Sequence, residues 1–199
     1  CLSLVGSEMC IRDSCSGVST TTWNDIEGNA NKFIAVSSSG VVNSSNDGAT
    51  WSDISGSVGS DTFTGVAAIG QTWIIVSDTG VVYRSTDNGS SWTNAQVEPY
   101  DGSTAIFKYA AAGNGLFIIS DQYGQTWESV DDGANWQLAA NVGLGVGGPK
   151  YIAQDLVFKN GKILMPVQDS PLDDSTSLNK IFVTNENVAQ SSTSAVTTR

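Results

Sequence analysis

One short signature occurs three times in this chain: Ser85-Thr86-Asp87-Asn88-Gly89-Ser90-Ser91-Trp92, Ser129-Val130-Asp131-Asp132-Gly133-Ala134-Asn135-Trp136, and a copy one residue shorter, Ser45-Asn46-Asp47-Gly48-Ala49-Thr50-Trp51. The phase extends well beyond the signature. Trp23, Phe63 and Phe107 lie 40 and 44 residues apart, and Phe33, Trp73 and Phe117 repeat those intervals, as do Gly40, Gly80 and Gly124. The closing tryptophans lie 41 and 44 apart, because one residue is missing between Asp47 and Gly48. A period of about 40–45 residues carrying four strands is the mark of a propeller blade.

The strands can be read inside one unit. Thr62 to Ile69 alternates loosely and ends at Gly70; Trp73-Ile74-Ile75-Val76 is a short apolar run closed by Ser77-Asp78-Thr79-Gly80; Val81 to Ser85 is the next strand, and Trp92 opens the outermost. These are strand-sized pieces between turn residues, with no sustained helical period. Lys108 to Ala112 resembles a helix locally, but its register with Thr64 to Ala68 predicts a strand. The expected fold is therefore all-β: a β-propeller fragment of about three to four four-stranded antiparallel blades.

The signature has a physical cause. An Asp carboxylate accepts hydrogen bonds from backbone N–H groups just ahead of it, and the Ser hydroxyl adds a second tie across the hairpin. Gly89 and Gly133 supply a position at which the turn is expected to take positive φ without a Cβ clash. Trp51, Trp92 and Trp136 are expected to bury roughly 150–250 Å² each, worth at most about 4–6 kcal/mol.

Ser-x-Asp-x-Gly-x-x-Trp after a strand such as Val81 to Arg84 resembles the Asp-box, or bacterial neuraminidase, repeat over residues 20–140. The repeat occurs in sialidases, xyloglucanase-type glycoside hydrolases, sortilin-like receptors and photosystem II stability/assembly factors. The resemblance implies that Ser45, Asp47, Gly48, Trp51, Ser85, Asp87, Gly89, Trp92, Ser129, Asp131, Gly133 and Trp136 build structural turns on the rim, away from any central ligand site. A second resemblance concerns Leu4 to Asp13, which is similar to the translation of a transposase-type sequencing-library adapter. Residues 1–14 are accordingly read as non-native, and the chain as a metagenomic piece of a longer protein, with blades over 15–149, a degenerate fourth over 150–190 and a Ser/Thr-rich, disordered tail over 191–199. In that fourth unit Ile163 to Val167 and Ile181 to Thr184 are the expected strands.

Charge and chemistry narrow the function. Residues 15–149 carry thirteen acidic side chains against Lys32, Arg84 and Lys108, whereas residues 150–199 are balanced. No basic patch suits nucleic acid, and no apolar run reaches the 18 residues of a membrane span. With no histidine, and with Cys1 and Cys10 in the excluded segment beside Cys15, neither a metal site nor a disulfide framework is expected. The acidic turns lack the 12-residue calcium-loop pattern. Gly143 to Gly148 matches G-x-G-x-x-G, but Pro149 and a strand-like run follow instead of a helix, so it reads as a loop.

A sialidase needs clustered arginines for the substrate carboxylate, and the repeats hold Arg84 alone. A neutral-glycan hydrolase needs two carboxylates across a cleft; Asp78 and Asp121, read as recurring in register with Ser38 in the first unit, are the candidates, and both also serve as turn formers. Trp127 stands outside the tryptophan column, where the other units place Asn43 and Tyr83; with Tyr100 and Tyr123 it is a candidate aromatic surface for sugar or protein, or a packing residue against the neighbouring blade. The expectation is a binding or assembly module without catalytic residues, cofactor or metal, whose partner is protein or glycan, in an extracellular, periplasmic or phage-borne setting. It is nearest in type to the photosystem assembly factors. The alternative is part of an exo-acting glycoside hydrolase whose catalytic residues lie in other blades.

Overall fold

The computed structural model describes residues 15–97, 105–122, 124–141, 144–145, 148–149, 151–160, 162–169 and 180–183. Three consecutive runs of four strands each make one antiparallel sheet in simple up-and-down order. The first sheet contains β1 (Trp23–Gly28), β2 (Phe33–Ser37), β3 (Val42–Ser45) and β4 (Trp51–Asp53). A single helical turn, α1 (Ser55–Val58), leads to the second, made of β5 (Phe63–Ile69), β6 (Thr72–Ser77), β7 (Val81–Ser85) and β8 (Thr93–Gln96). The third has β9 (Phe107–Gly113), β10 (Leu116–Asp121), β11 (Gln125–Ser129) and β12 (Gln137–Asn141). No periodic signal marked α1. Lys108 to Ala112 does lie in a strand.

The Gly143–Gly148 run contributes a two-stranded hairpin, β13 (Leu144–Gly145) with β14 (Gly148–Pro149), where a loop was expected. The fourth sheet is built on one long strand, β17 (Lys162–Asp169). On one edge of it lie β15 (Tyr151–Ala153) and β16 (Val157–Lys159), which are two halves of a broken first strand, and on the other lies β18 (Lys180–Val183). Residues 1–14 and 191–199 lie outside the described residues.

The sheets stack face to face through alternating side chains. On β6, Trp73 and Ile75 join Ile34, Val36 and Phe63 in a core between the first and second sheets, while Ile74 and Val76 turn the other way to meet Phe107, Phe117 and Ile119. On β10, Leu116 and Ile118 face Met165 and Leu156 of the fourth sheet. Each strand buried on both faces is apolar throughout, which explains the unbroken runs at 73–76 and 116–119. The first strands run side by side, β1 against β5, β5 against β9 and β9 against β16.

A bulge recurs at the start of these first strands. Trp23, Phe63 and Phe107 pair with Ser37, Ser77 and Asp121, and the ladder then skips Asn24, Thr64 and Lys108. An extra residue re-aims its side chain. Asn24 Nδ2 donates to the Phe63 carbonyl at 2.7 Å, and Thr64 Oγ1 to the Phe107 carbonyl at 2.9 Å, so the first two bulges each tie their sheet to the same position of the next.

Candidate functional site

The three signature turns connect the third and fourth strands of their sheets. In each, the Ser hydroxyl donates to the Asp carboxylate, at 3.0 Å for Ser45–Asp47 and 2.8 Å for both Ser85–Asp87 and Ser129–Asp131. The same hydroxyl accepts the N–H of Gly48, Gly89 or Gly133. Asp47 accepts the N–H groups of Ala49 and Thr50; Asp87 those of Ser90 and Ser91 with the Ser91 hydroxyl; Asp131 the N–H and Nδ2 of Asn135. These donors hold Asp47 down to about 2, through Thr50 first, and Asp131 to about 2, through Asn135 first; Ser91 holds Asp87 well below the usual carboxylate range. A carboxylate held this firmly ionised inside its own turn has no proton to donate near neutral pH.

The missing residue of the first copy is explained. The longer turns place two successive residues in the left-handed region, Asn88 and Gly89 (φ 60° and 78°) and Asp132 and Gly133 (59° and 79°), whereas the short turn uses Gly48 alone (74°). The Ser-to-Gly bond survives the deletion, spanning three residues instead of four.

The turns also act between sheets. A Cβ on Gly89 would meet Ile34 Cδ1 at 3.3 Å, and one on Gly133 would meet Ile74 Cδ1 at 2.3 Å. The turns of the second and third sheets are therefore seated on the preceding sheet. Asn88 Oδ1 accepts from Trp73 Nε1 (3.0 Å) and from Asn29 Nδ2 (2.8 Å) in the first sheet, and Arg84 Nε donates to the Asp132 carbonyl at 2.6 Å. Neither Asn29 nor Asn88 stood out in the repeat, because their partner lies one sheet away.

The closing tryptophans are less buried than expected. Trp51, Trp92 and Trp136 are all half-buried, with the indole N–H of Trp51 and Trp92 donating to the turn carbonyls of Gly48 (3.1 Å) and Gly89 (3.3 Å). The fully enclosed indoles are Trp73 and Trp127.

Asp78 and Asp121 do not form a carboxylate pair in register. Asp121 ends its strand at the place held by Ser37 and Ser77, and all three side chains cap the N–H four residues on, at Val41, Val81 and Gln125. Asp78 corresponds instead to Gln122, each donating its N–H across to the carbonyl of Thr62 or Ile106. Asp121 is buried, so it presents no carboxylate to a cleft.

Trp127 is committed to packing. Its ring meets Phe107 edge-on at 5.2 Å, repeating the Phe63–Tyr83 contact of the second sheet at 5.3 Å, and 2% of it is exposed. Tyr100 and Tyr123 lie outside the described residues. One edge of Trp127 forms the floor of a groove of about 480 Å³ on the outer rim, walled by Ala95, Gln96, Trp136 and Leu138. Along one wall runs β8, exposed throughout and paired to β7 alone among the described residues. Leu138 stands 40% exposed on the other.

Four stacked antiparallel sheets, each packed on the next through its first strand, with the outer turns of the second and third also seated on the sheet before, define a β-propeller array. Solved structures agree on this class. The chain resembles YCF48 bound to D1 peptide (TM-score 0.61, 16% identity, covering 85% of this chain and 56% of that one) and YCF48 from Cyanidioschyzon merolae (0.53, 13%, 80% and 71%). It also resembles a GH74 enzyme of Niastella koreensis (0.53, 20%, 81% and 25%). The chain thus spans about half the length of the first of these and a quarter of the last. No protein-family model matches it, and no curated protein matches it in sequence. Among the described residues no group of three His, Cys, Asp or Glu side chains is placed to hold a metal ion, and no helix is long and apolar enough to cross a membrane.

Proposed function

We propose that this chain is a non-catalytic propeller module that binds protein, taking an extended polypeptide segment into the rim groove between the second and third sheets. The reading rests on the outer edge of β8, which no strand among the described residues pairs, beside an apolar wall. An unpaired strand edge offers main-chain donors and acceptors to an added strand, while pockets for alternate side chains provide selectivity. Leu138, Trp136 and Ala95 supply apolar contact there. The acidic balance of residues 15–149 favours a partner segment that carries basic side chains. That a propeller of similar fold, YCF48, was solved with a peptide bound supports the same class of partner. We read the three turns as Asp-box repeats that hold this rim rigid, and the nearest functional type as the assembly factors, in line with the peptide-bound propeller of similar fold.

The test is selection of peptides from a displayed random library on the 199-residue chain, followed by anisotropy titration of those recovered. Binding should fall at least tenfold in Leu138→Asp, equivalent to about 1.4 kcal/mol. Binding indifferent to Leu138→Asp, or failure to recover any peptide, would overturn the site. Turnover of a fluorogenic sialoside or of xyloglucan would overturn the non-catalytic reading.

A further inference from the structure

Asparagine or aspartate before glycine is the bond of a polypeptide most open to water-driven rearrangement, because a glycine, lacking Cβ, leaves its own nitrogen free to reach the side-chain carbonyl carbon before it. This chain holds six such pairs, of which Asp101-Gly102 lies wholly and Asn160-Gly161 partly outside the described residues. Three of the others stand inside the signature turns: Asp47-Gly48, Asn88-Gly89 and Asp132-Gly133. In each of these the signature Ser hydroxyl accepts the glycine N–H, at 2.9, 2.8 and 2.9 Å. That N–H is the group the rearrangement must free. Asn88 is held a second way, since its Oδ1 accepts from Trp73 Nε1 and Asn29 Nδ2.

Asn114-Gly115 is the described pair outside the signature. It closes the two-residue hairpin between β9 and β10, where Gly113 pairs with Leu116, and it takes φ of 51° and 77°. Asn-Gly suits such a turn, but no hydroxyl guards this one. Both residues are exposed, and neither the Asn114 side chain nor the Gly115 N–H is hydrogen-bonded among the described residues. Nothing lies within 4 Å of a Cβ built on Gly115, so the tip has room to bring the glycine nitrogen onto the carboxamide.

We infer that Asn114 is a site of spontaneous deamidation, and that the signature Ser keeps the same chemistry out of the outer turns. This inference is independent of the rim groove. The Gly115 amide nitrogen loses its proton to hydroxide and bonds to Asn114 Cγ; the Cγ–Nδ2 bond breaks, ammonia leaves and a succinimide ring closes. Water then adds at either imide carbonyl and opens the ring to aspartate or isoaspartate. Ammonia is released and water taken up, so the balance needs no other reagent. In isoaspartate the backbone runs through the side chain, which adds a carbon to a two-residue loop. Leu116, just beyond it, is buried with Leu156 and Met165 of the fourth sheet, and a Cβ on Gly113 would meet Phe158 at 3.1 Å. The modification therefore loosens the seam between the third and fourth sheets.

The test is incubation of the 199-residue chain in mildly alkaline buffer, followed by trypsin digestion and mass spectrometry. Cleavage after Arg84, Lys108 and Lys150 places Asn88 and Asn114 on separate peptides. In the folded chain Asn114 should convert at least tenfold faster than Asn88, equivalent to about 1.4 kcal/mol in barrier. In denaturing urea the two rates should converge, since both residues precede glycine. Ser85→Ala, with its fold checked by circular dichroism, should speed conversion at Asn88 several-fold and leave Asn114 unchanged. The converted chain, separated by anion exchange, should exchange the amides of residues 116–118 faster than the original. Equal rates in the folded chain, a gap that persists in urea, an Asn88 that stays as slow in Ser85→Ala, or a converted chain with unaltered exchange would each overturn the proposal.

Discussion

Substituting alanine at the three turn glycines should produce graded losses rather than one common loss. All three have φ between 74° and 79°, so a Cβ at any of them pays for a left-handed backbone, about 1–2 kcal/mol. The space around them differs. At Gly48 the nearest foreign atom is a Phe33 ring carbon at 3.7 Å, ordinary contact; at Gly89 it is Ile34 Cδ1 at 3.3 Å, which needs a shift of a few tenths of an ångström; at Gly133 it is Ile74 Cδ1 at 2.3 Å. Ile74 is fully buried among Val76, Phe107 and Phe117 and cannot swing aside without disturbing that core. Overpacking of this kind adds about 1–3 kcal/mol. The expected costs are thus about 1–2 kcal/mol for Gly48→Ala, slightly more for Gly89→Ala and about 2–5 kcal/mol for Gly133→Ala. Urea unfolding at fixed protein concentration measures them. Equal losses at all three sites, or a reversed order, would refute the claim that the second and third turns are seated on the preceding sheet.

Three further outcomes follow from the same geometry. Asn88→Ala removes the acceptor shared by Trp73 and Asn29 and leaves a non-glycine at φ 60°, so it should cost about 2 kcal/mol in the same melts, whereas Asp132→Gly, at an exposed φ of 59°, should stabilise by up to about 1 kcal/mol. Asp47, Asp87 and Asp131 have folded pKa values below their unfolded ones; their stabilisation is complete above pH 4 and is lost as the pH falls toward 2, so replacing all three with Asn should flatten the acid limb of the stability curve. Glu128 behaves oppositely: burial raises its pKa and one oxygen lacks a partner, so Glu128→Gln should stabilise at pH 7, with the gain shrinking as the pH drops through the carboxylate range. A gain that persists undiminished at pH 3 would assign it to packing instead.

The repeat, its strands and the chemistry of its turns were legible in the residues because each is a local matter. A Ser and an Asp two positions apart, with a glycine just beyond, close the same hydrogen bonds wherever the hairpin is placed, and strands enclosed on both faces read as unbroken apolar runs. What lies one sheet away was not legible. The burial of Trp127 depends on the core it shares with Ile74, Val76 and Val82 of the preceding sheet; the worth of Gly133 depends on Ile74 in that same sheet. Period and turn chemistry alone determined that this chain forms stacked β-sheets of propeller type, since backbone hydrogen bonding and alternation are sequence-near. Only the tertiary structure decided which faces are covered, which are left open and which tryptophans are enclosed, because burial belongs to pairs of sheets and not to any one of them.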